Sequence, residues 1–353
     1  MTRQLKYVEA IREAINLCME VDPNVYVIGE GVPDPKGIFG TTTGLQQKYG
    51  AERVLDMPLS EDGMTGMAIG SALTGLRPIL THQRVDFALL SMNQIVNNAA
   101  KWHYMFGGQT CVPLVIRMAI GMGWGQGAQH SQSLQAWFAH VPGLKVVMPV
   151  TPYDAKGLLI SSIEDDNPVI FLEHRWLHNT FGDVPEGIYR VPLGQGRIAR
   201  RGKDITIAAT SYMVLESLRA AETLSEVGIE ADVVDIRTLK PFDSAMIAES
   251  VQRTGRLLAV DADWKTGSFA GEIITSMVEM VWGSFKCPPR RITLPDSPTP
   301  TSAALSRYYY PRAVHIVSAV CEMMQIPKER VSLPHETFGI PLDVPDSSFT
   351  GPF

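Results

Sequence analysis

The run Ser60-Glu61-Asp62-Gly63-Met64-Thr65-Gly66 places a carboxylate between an apolar stretch at 54–59 and a small-residue helix through Ala68, Gly70, Ala72 and Gly75. Where a strand meets a helix in a parallel α/β fold, backbone N–H groups and the open sheet edge make ligand sites, so Glu61 is a candidate to hold or move a proton. The competing reading is a helix-N-terminal acid capped by Ser60. Glu30 follows the apolar stretch 25–28 in the same way, as a ligand-facing acid or an ordinary loop residue. His130 lies in Ala128-Gln129-His130-Ser131-Gln132, after the glycine-rich residues 121–127. A loop imidazole titrates near neutrality and can exchange protons with a bound molecule. In Leu80-Thr81-His82-Gln83-Arg84-Val85-Asp86-Phe87, the Arg84 guanidinium could grip a carboxylate or phosphate with two bonds. Surface exposure or an intersubunit salt bridge competes with that role.

These residues need a scaffold, and the sequence supplies a strand-helix rhythm. Up to about residue 190, β-rich apolar runs at 25–28, 54–59, 78–80, 112–116, 145–148 and 169–172 alternate with helical patterns such as 92–104 and 153–163. That alternation predicts a mostly parallel sheet covered on both faces. The polar, Gly/Pro-containing stretch 182–202 reads as an interdomain linker. Beyond it the rhythm resumes, with strands at 205–209, 231–236 and 257–260 and helices at 212–227 and 244–252. A chain of 353 residues exceeds the size at which single cores stop growing. The expected fold is therefore α/β with two domains, each a mostly parallel sheet flanked by helices, over 1–190 and 191–326. The Pro-rich tail 327–353 is expected to run along a surface or a partner.

Composition narrows the class. With 45% hydrophobic and 19% charged residues, the chain can bury a sizeable core, and no apolar run approaches the ~18 residues of a spanning helix. A soluble protein without a membrane role is expected. A net charge of −6 without long single-sign runs gives no means of capturing nucleic acid. The N-terminus enters directly an amphipathic pattern of Val8, Ile11, Ile15 and Met19, which points to the cytoplasm. Cys18, Cys111, Cys287 and Cys321 are too scattered for a disulfide framework or a metal knuckle and are expected as buried thiols.

Taken in order, Gly29-Glu30-Gly31-Val32, the run 60–66, Ala128-Gln129-His130-Ser131-Gln132, Asp235-Ile236-Arg237-Thr238-Leu239-Lys240-Pro241-Phe242-Asp243 and Leu294-Pro295-Asp296-Ser297-Pro298-Thr299-Pro300 resemble a known pattern. It is that of the β subunits of thiamine-diphosphate-dependent 2-oxo acid dehydrogenases, the pyruvate, branched-chain and acetoin group. The resemblance runs from Leu5 to about Ile326 and leaves the tail outside it. It implies a transketolase-like pyrimidine-binding domain followed by a transketolase C-terminal domain. It further implies that Glu61 is the catalytic acid sharing the proton of the cofactor's aminopyrimidine, and that Glu30 joins the acid network beside the cofactor. Here Gly31 stands where relatives carry a second acid. By the same match His130 is the active-site histidine, and Tyr104 is an aromatic lining the active-site channel, with core packing an equal competitor. Thr81, His82 and Arg84 replace the acid and the apolar residues usual in relatives, which implies a more polar or more acidic substrate. Leu114, Ser162, Ile163, Asp165 and Asn167 match a segment that holds potassium in some relatives through hard oxygen donors. A plain helix C-terminal turn is the alternative.

Thiamine enzymes anchor the diphosphate through Mg²⁺ with a Gly-Asp-Gly motif, and none occurs in this sequence. The resemblance then implies that this chain binds only the pyrimidine end. An α subunit would hold Mg²⁺ and the diphosphate in an α₂β₂ heterotetramer, and a lipoyl acyltransferase core is the further partner. The implied activity is oxidative decarboxylation of a 2-oxo acid with acyl transfer to lipoyl. An acetoin-type or split transketolase-type lyase or transferase subunit, and a non-catalytic interaction subunit, are the rivals. Gly267 and Gly271 lack the spacing of a dinucleotide loop.

Overall fold

The computed structural model describes residues 2–123, 125–327, 331, 341–346 and 349. Trp124 and most of the tail, including Pro334 and Pro352, lie outside the described residues. Seven strands form one sheet in the order Thr238–Lys240, Lys145–Val147, Val169–His174, Val115–Ile120, Arg77–His82, Val25–Ile28, Val54–Leu55. All run parallel except Thr238–Lys240, which returns from the second half of the chain and pairs antiparallel with Lys145–Val147. The strands Val25–Ile28, Val115–Ile120 and Val169–His174 are buried at every position. That is why they read as continuous apolar runs and not as alternations. Helices Tyr7–Val21 and Pro152–Glu164 pack together on one face, while the small-residue helix Glu61–Leu73 covers the other, its Ile69 sharing a core with Leu80 and Ile116.

A second sheet follows the order Arg290–Leu294, Leu257–Trp264, Ile205–Ala209, Ala231–Asp235, Arg197–Arg200, with only the last strand antiparallel. The stretch 182–202 is therefore more than a linker. Its start pairs as Phe181–Pro185 with the N-terminal strand Thr2–Lys6, and its end supplies Arg197–Arg200. Polar residues conceal such strands, because each lies at an edge with one face wet. The helix expected over 92–104 is also broken. Gln94–Ala99 forms a π-helical turn, and a short helix Trp102–Met105 follows. The expectation of four buried thiols holds for Cys18 and Cys321, whereas Cys111 is exposed and Cys287 half-buried, both on irregular backbone near a surface turn.

Polar bonds fix the seam between the two sheets. Arg237, held at φ 56°, donates through Nη1 to Asp154 Oδ1 at 2.9 Å, through Nε to Gln195 O at 3.1 Å and through Nη2 to Gly196 O at 2.7 Å. Arg197 reaches Asp235 Oδ2 at 3.2 Å beside the same Asp154. Arg237→Ala leaves a buried carboxylate and two carbonyls without their donor, so we expect the urea midpoint to fall by the equivalent of about 3–5 kcal/mol. A midpoint within experimental error of the parent would show that the seam does not depend on this guanidinium.

Candidate active site

Parallel strands deliver all their C-terminal ends to one edge, and the loops leaving that edge carry the residues with chemistry. In spatial order, Arg175 follows Val169–His174, Gly121 follows Val115–Ile120, Arg84 lies just beyond Arg77–His82, Glu30 follows Val25–Ile28, and Glu61 opens the helix after Val54–Leu55. The edge is thus polarised, with acids at one end and guanidinium groups at the other. Close backbone approach is required between them. A Cβ on Gly29 would lie 2.2 Å from Thr81 O, so only glycine lets the Glu30 loop cross the neighbouring strand.

Glu61 is only 4% exposed, and its Oε1 has no hydrogen-bond partner among the described residues. Ser60 makes no side-chain cap bond, so the helix-cap reading does not account for the motif. The Thr65 hydroxyl, one turn on, is buried and unpartnered as well. Glu30 also carries an orphan buried Oε1. Partial burial and the nearby charges of Glu61 and Asp56 push its carboxyl above the usual range. Asp56 anchors the loop by accepting from Gly31 N at 2.9 Å. An acid pair with free buried oxygens suits a ligand that presents a ring nitrogen and an amino group, as an aminopyrimidine does.

Toward the other end, a cavity of about 660 Å³ is bounded by the loop carrying Lys36 and Phe39, and by Gln83, Arg84, Phe87, Gln126 and His130. His130 is exposed at its rim and stands edge-on to Phe87, with ring centroids 5.3 Å apart. Arg84 is 2% exposed, which removes the surface reading. Its Nη1 donates to Gly121 O at 2.8 Å. His82 lies buried with Nε2 unpartnered, and desolvation lowers its imidazole to about 4, so it is neutral at pH 7.

Two further groups of candidates lie away from this cavity. Tyr104 is 88% exposed on the short helix Trp102–Met105, beyond the break after Ala99, which sets aside the core-packing reading. Around the potassium candidates, Arg77 Nη1 donates at 3.1 Å to both Ile163 O and Asp165 O, and Leu114 O accepts from Val169 N at 2.9 Å. The Asp165 carboxylate bonds Lys145 and Asn167, and the Ser162 hydroxyl bonds Leu158 O. In the set of Leu114, Ser162, Ile163, Asp165 and Asn167, the Ser162 and Asp165 side chains thus have protein partners, and the carbonyls of Leu114, Ile163 and Asp165 each accept a bond. Among the described residues no cluster of three or more His, Cys, Asp or Glu is placed to hold a metal ion.

Phe39, Lys36, Gln126 and Arg175 were not singled out from sequence. Arg175 follows a parallel strand by the rule that selects Glu30 and could have been found that way. Phe39 gave no signal, since its place depends on a left-handed turn in which Ile38 and Phe39 have φ of 30° and 59°.

Residues 3–179 match the family described as Transketolase, pyrimidine binding domain, and residues 194–316 match Transketolase, C-terminal domain. The chain is 44% identical over 335 residues to the acetoin:2,6-dichlorophenolindophenol oxidoreductase subunit beta of Cupriavidus necator, covering 92% of this chain and 99% of that one. It is 41% identical over 315 residues to the mitochondrial pyruvate dehydrogenase E1 component subunit beta-2 of Oryza sativa subsp. japonica, covering 88% and 84%. A solved structure titled split gene transketolase, inactive beta4 tetramer, superposes with a TM-score of 0.75 at 23% identity over 91% of this chain and 99% of that one, a likeness of fold.

The buried imidazoles give a pH test. Because His82 is lowered to about 4, the unfolded chain takes up its proton below about pH 6.5 and the folded chain does not. Stability from this residue is full above pH 6.5 and lost as pH falls toward 4. His82→Phe should therefore show a shallower decline of urea midpoint between pH 6.5 and 5 than the parent. Parallel slopes would mean that His82 charges freely in the folded state.

Proposed function

This chain belongs to the transketolase-like family of E1 β subunits, and from that premise we propose that it binds the aminopyrimidine end of thiamine diphosphate and supports oxidative decarboxylation of a 2-oxo acid. The observation that carries the proposal is the buried Glu61 carboxylate, with Oε1 unpartnered, near Glu30, whose proton is held more tightly than usual. Leaving polar atoms buried without partners is expensive unless a ligand completes them, which weighs against a subunit that only assembles. Among the described residues no helix is long and apolar enough to cross a membrane.

Thiamine diphosphate, when bound, supplies a carbon nucleophile and an electron sink for the 2-oxo acid. The residues of this chain do the rest. Glu61 holds a proton at the pyrimidine ring nitrogen, and Glu30 steadies that proton by sharing the acid network. His130, at the rim of the cavity and fixed against Phe87, gives and takes protons where the substrate enters and where a lipoyl acyl acceptor would reach in. The neutral His82 lies behind this site and excludes water without adding charge. An α subunit completes the site by holding Mg²⁺ and the diphosphate. The outward-facing Tyr104, Met105 and Phe106 offer that subunit an apolar surface in an α₂β₂ assembly.

Reconstituted with its α partner, the Glu61→Gln variant should assemble normally and lose turnover by about 10²–10⁴-fold, the usual contribution of a positioned acid-base group. Calorimetry on the isolated chain should detect no Mg²⁺-dependent binding of thiamine diphosphate. Turnover within a few-fold of the parent, or tight Mg²⁺-dependent binding without the partner, would refute the reading.

A further inference from the structure

Arg84 and Arg175 are large cations kept almost wholly out of water, at 2% and 5% exposure, and neither forms an ion pair within 4.0 Å among the described residues. Arg84 leaves Nη2 buried and unpartnered at the cavity, and Arg175 leaves Nε likewise behind it. The two share the Phe39 ring, whose centroid lies 6.0 Å from the Arg84 guanidinium carbon and 4.7 Å from that of Arg175. Asp86 attracts Arg84 without forming an ion pair; its Oδ1 accepts from Gln132 Nε2 at 2.7 Å and its Oδ2 is buried without a partner. Gly123 makes room for the group, since a Cβ there would fall 2.6 Å from Nη2. Around the cavity, Lys36 adds a third cation and His130 a titratable group, against Asp34 alone as an acid. Burying a guanidinium with one carbonyl bond and no carboxylate in ion-pair contact is unfavourable, so the arrangement is built to receive an anion.

We propose that this cavity selects a 2-oxo acid carrying a second anionic group, carboxylate or phosphate, which the free Nη2 edge of Arg84 binds within the cationic field of Arg175 and Lys36. The inference rests on the 2-oxo acid reading above. It explains why the site keeps a positive end as well as an acidic one. On this reading the acids face the cofactor, and the guanidinium faces the far end of the substrate. A guanidinium matches either anion with paired N–H donors, so the two chemistries share one site.

The test uses the complex with its α partner and three probes: pyruvate, 2-oxoglutarate and 3-phosphohydroxypyruvate. Decarboxylation is followed with an artificial electron acceptor, and binding by calorimetry. The parent should favour at least one doubly anionic probe over pyruvate, and the better of the two decides between carboxylate and phosphate. Arg84→Met should lower the ratio of kcat/KM for that probe to kcat/KM for pyruvate by about 10–150-fold, the range for losing a charge-assisted hydrogen bond. Arg84→Lys should restore part of it. The ligand-free Arg84→Met chain should melt no lower than the parent, since it no longer buries an unpaired charge. A fall in melting temperature with an unchanged ratio would overturn the proposal and leave Arg84 as a structural donor to Gly121. Equal losses for pyruvate and the doubly anionic probes would also overturn it, by assigning Arg84 to the carboxylate that all share. If the parent turns over none of the probes, the decarboxylase reading fails. Calorimetry then decides separately, because binding of a doubly anionic probe that Arg84→Met abolishes still supports the anion site, and absence of binding refutes it.

Discussion

Charge held out of water without an opposite charge is the constraint around which this molecule is arranged. A buried carboxylate oxygen or guanidinium edge with no partner is unfavourable by itself, so the fold must carry it from stability gained elsewhere. Both kinds occur here along a single sheet edge, with Glu30 and Glu61 at one end and Arg84 and Arg175 at the other. No ion pair joins the two kinds among the described residues: Arg175 and Glu61 lie four strand spacings apart, roughly 19 Å at about 4.8 Å per strand, and Arg84 and Glu30, although they leave neighbouring strands, do not pair. The parallel order turns positions distant in sequence into an electrostatic gradient across one site.

The remainder of the structure supports that edge. Strands buried on both faces give the apolar burial that offsets the unpaired charges, and the seam network of Arg237, Asp154, Arg197 and Asp235 keeps the second sheet against the first. Deeper in the same core, the Arg117–Glu173 pair, joined at 2.7 Å, shows how this fold treats a charge it intends to neutralise. Arg84 and Arg175 sit nearby without such a partner. That contrast within one sheet separates ligand-directed cations from structural ones more firmly than burial alone.

Much of this was legible from residue types. Apolar runs gave the parallel strands, since burial on both faces removes alternation, and Glu61, Glu30, His130 and Arg84 stood at junctions where such strands end. What escaped depended on contacts distant in sequence. The edge strands Phe181–Pro185 and Arg197–Arg200 are polar and exist because a neighbour offers hydrogen bonds. The interruption after Ala99 that turns Tyr104 outward follows from a π-helical turn that helical periodicity cannot reveal. Around Asp165, Arg77 arrives from 88 residues away to bond the carbonyls, and local sequence carries no sign of it.

The loop over the cavity and the described part of the tail show how the cationic end is enclosed. Ile38 and Phe39 adopt left-handed backbone that disfavours a β-branched residue most, a conformation that persists only when surrounding contacts over-determine it. Phe39 finds those contacts between the two guanidinium groups. On the far side, Arg312 binds the carbonyls of Pro341, Leu342, Val344 and Pro345, and its Nε lies 3.1 Å from the buried carboxylate of Glu216 in the second domain. This anchorage leads to Phe349, whose ring stands 6.0 Å from the Arg175 guanidinium carbon. Arg175 therefore meets one aromatic ring from a strained loop of the first domain and another from a segment tied to the second. Aromatic faces attract a cation without neutralising it. Two such faces let the fold retain a buried positive charge next to the cavity where a carboxylate partner would have cancelled it.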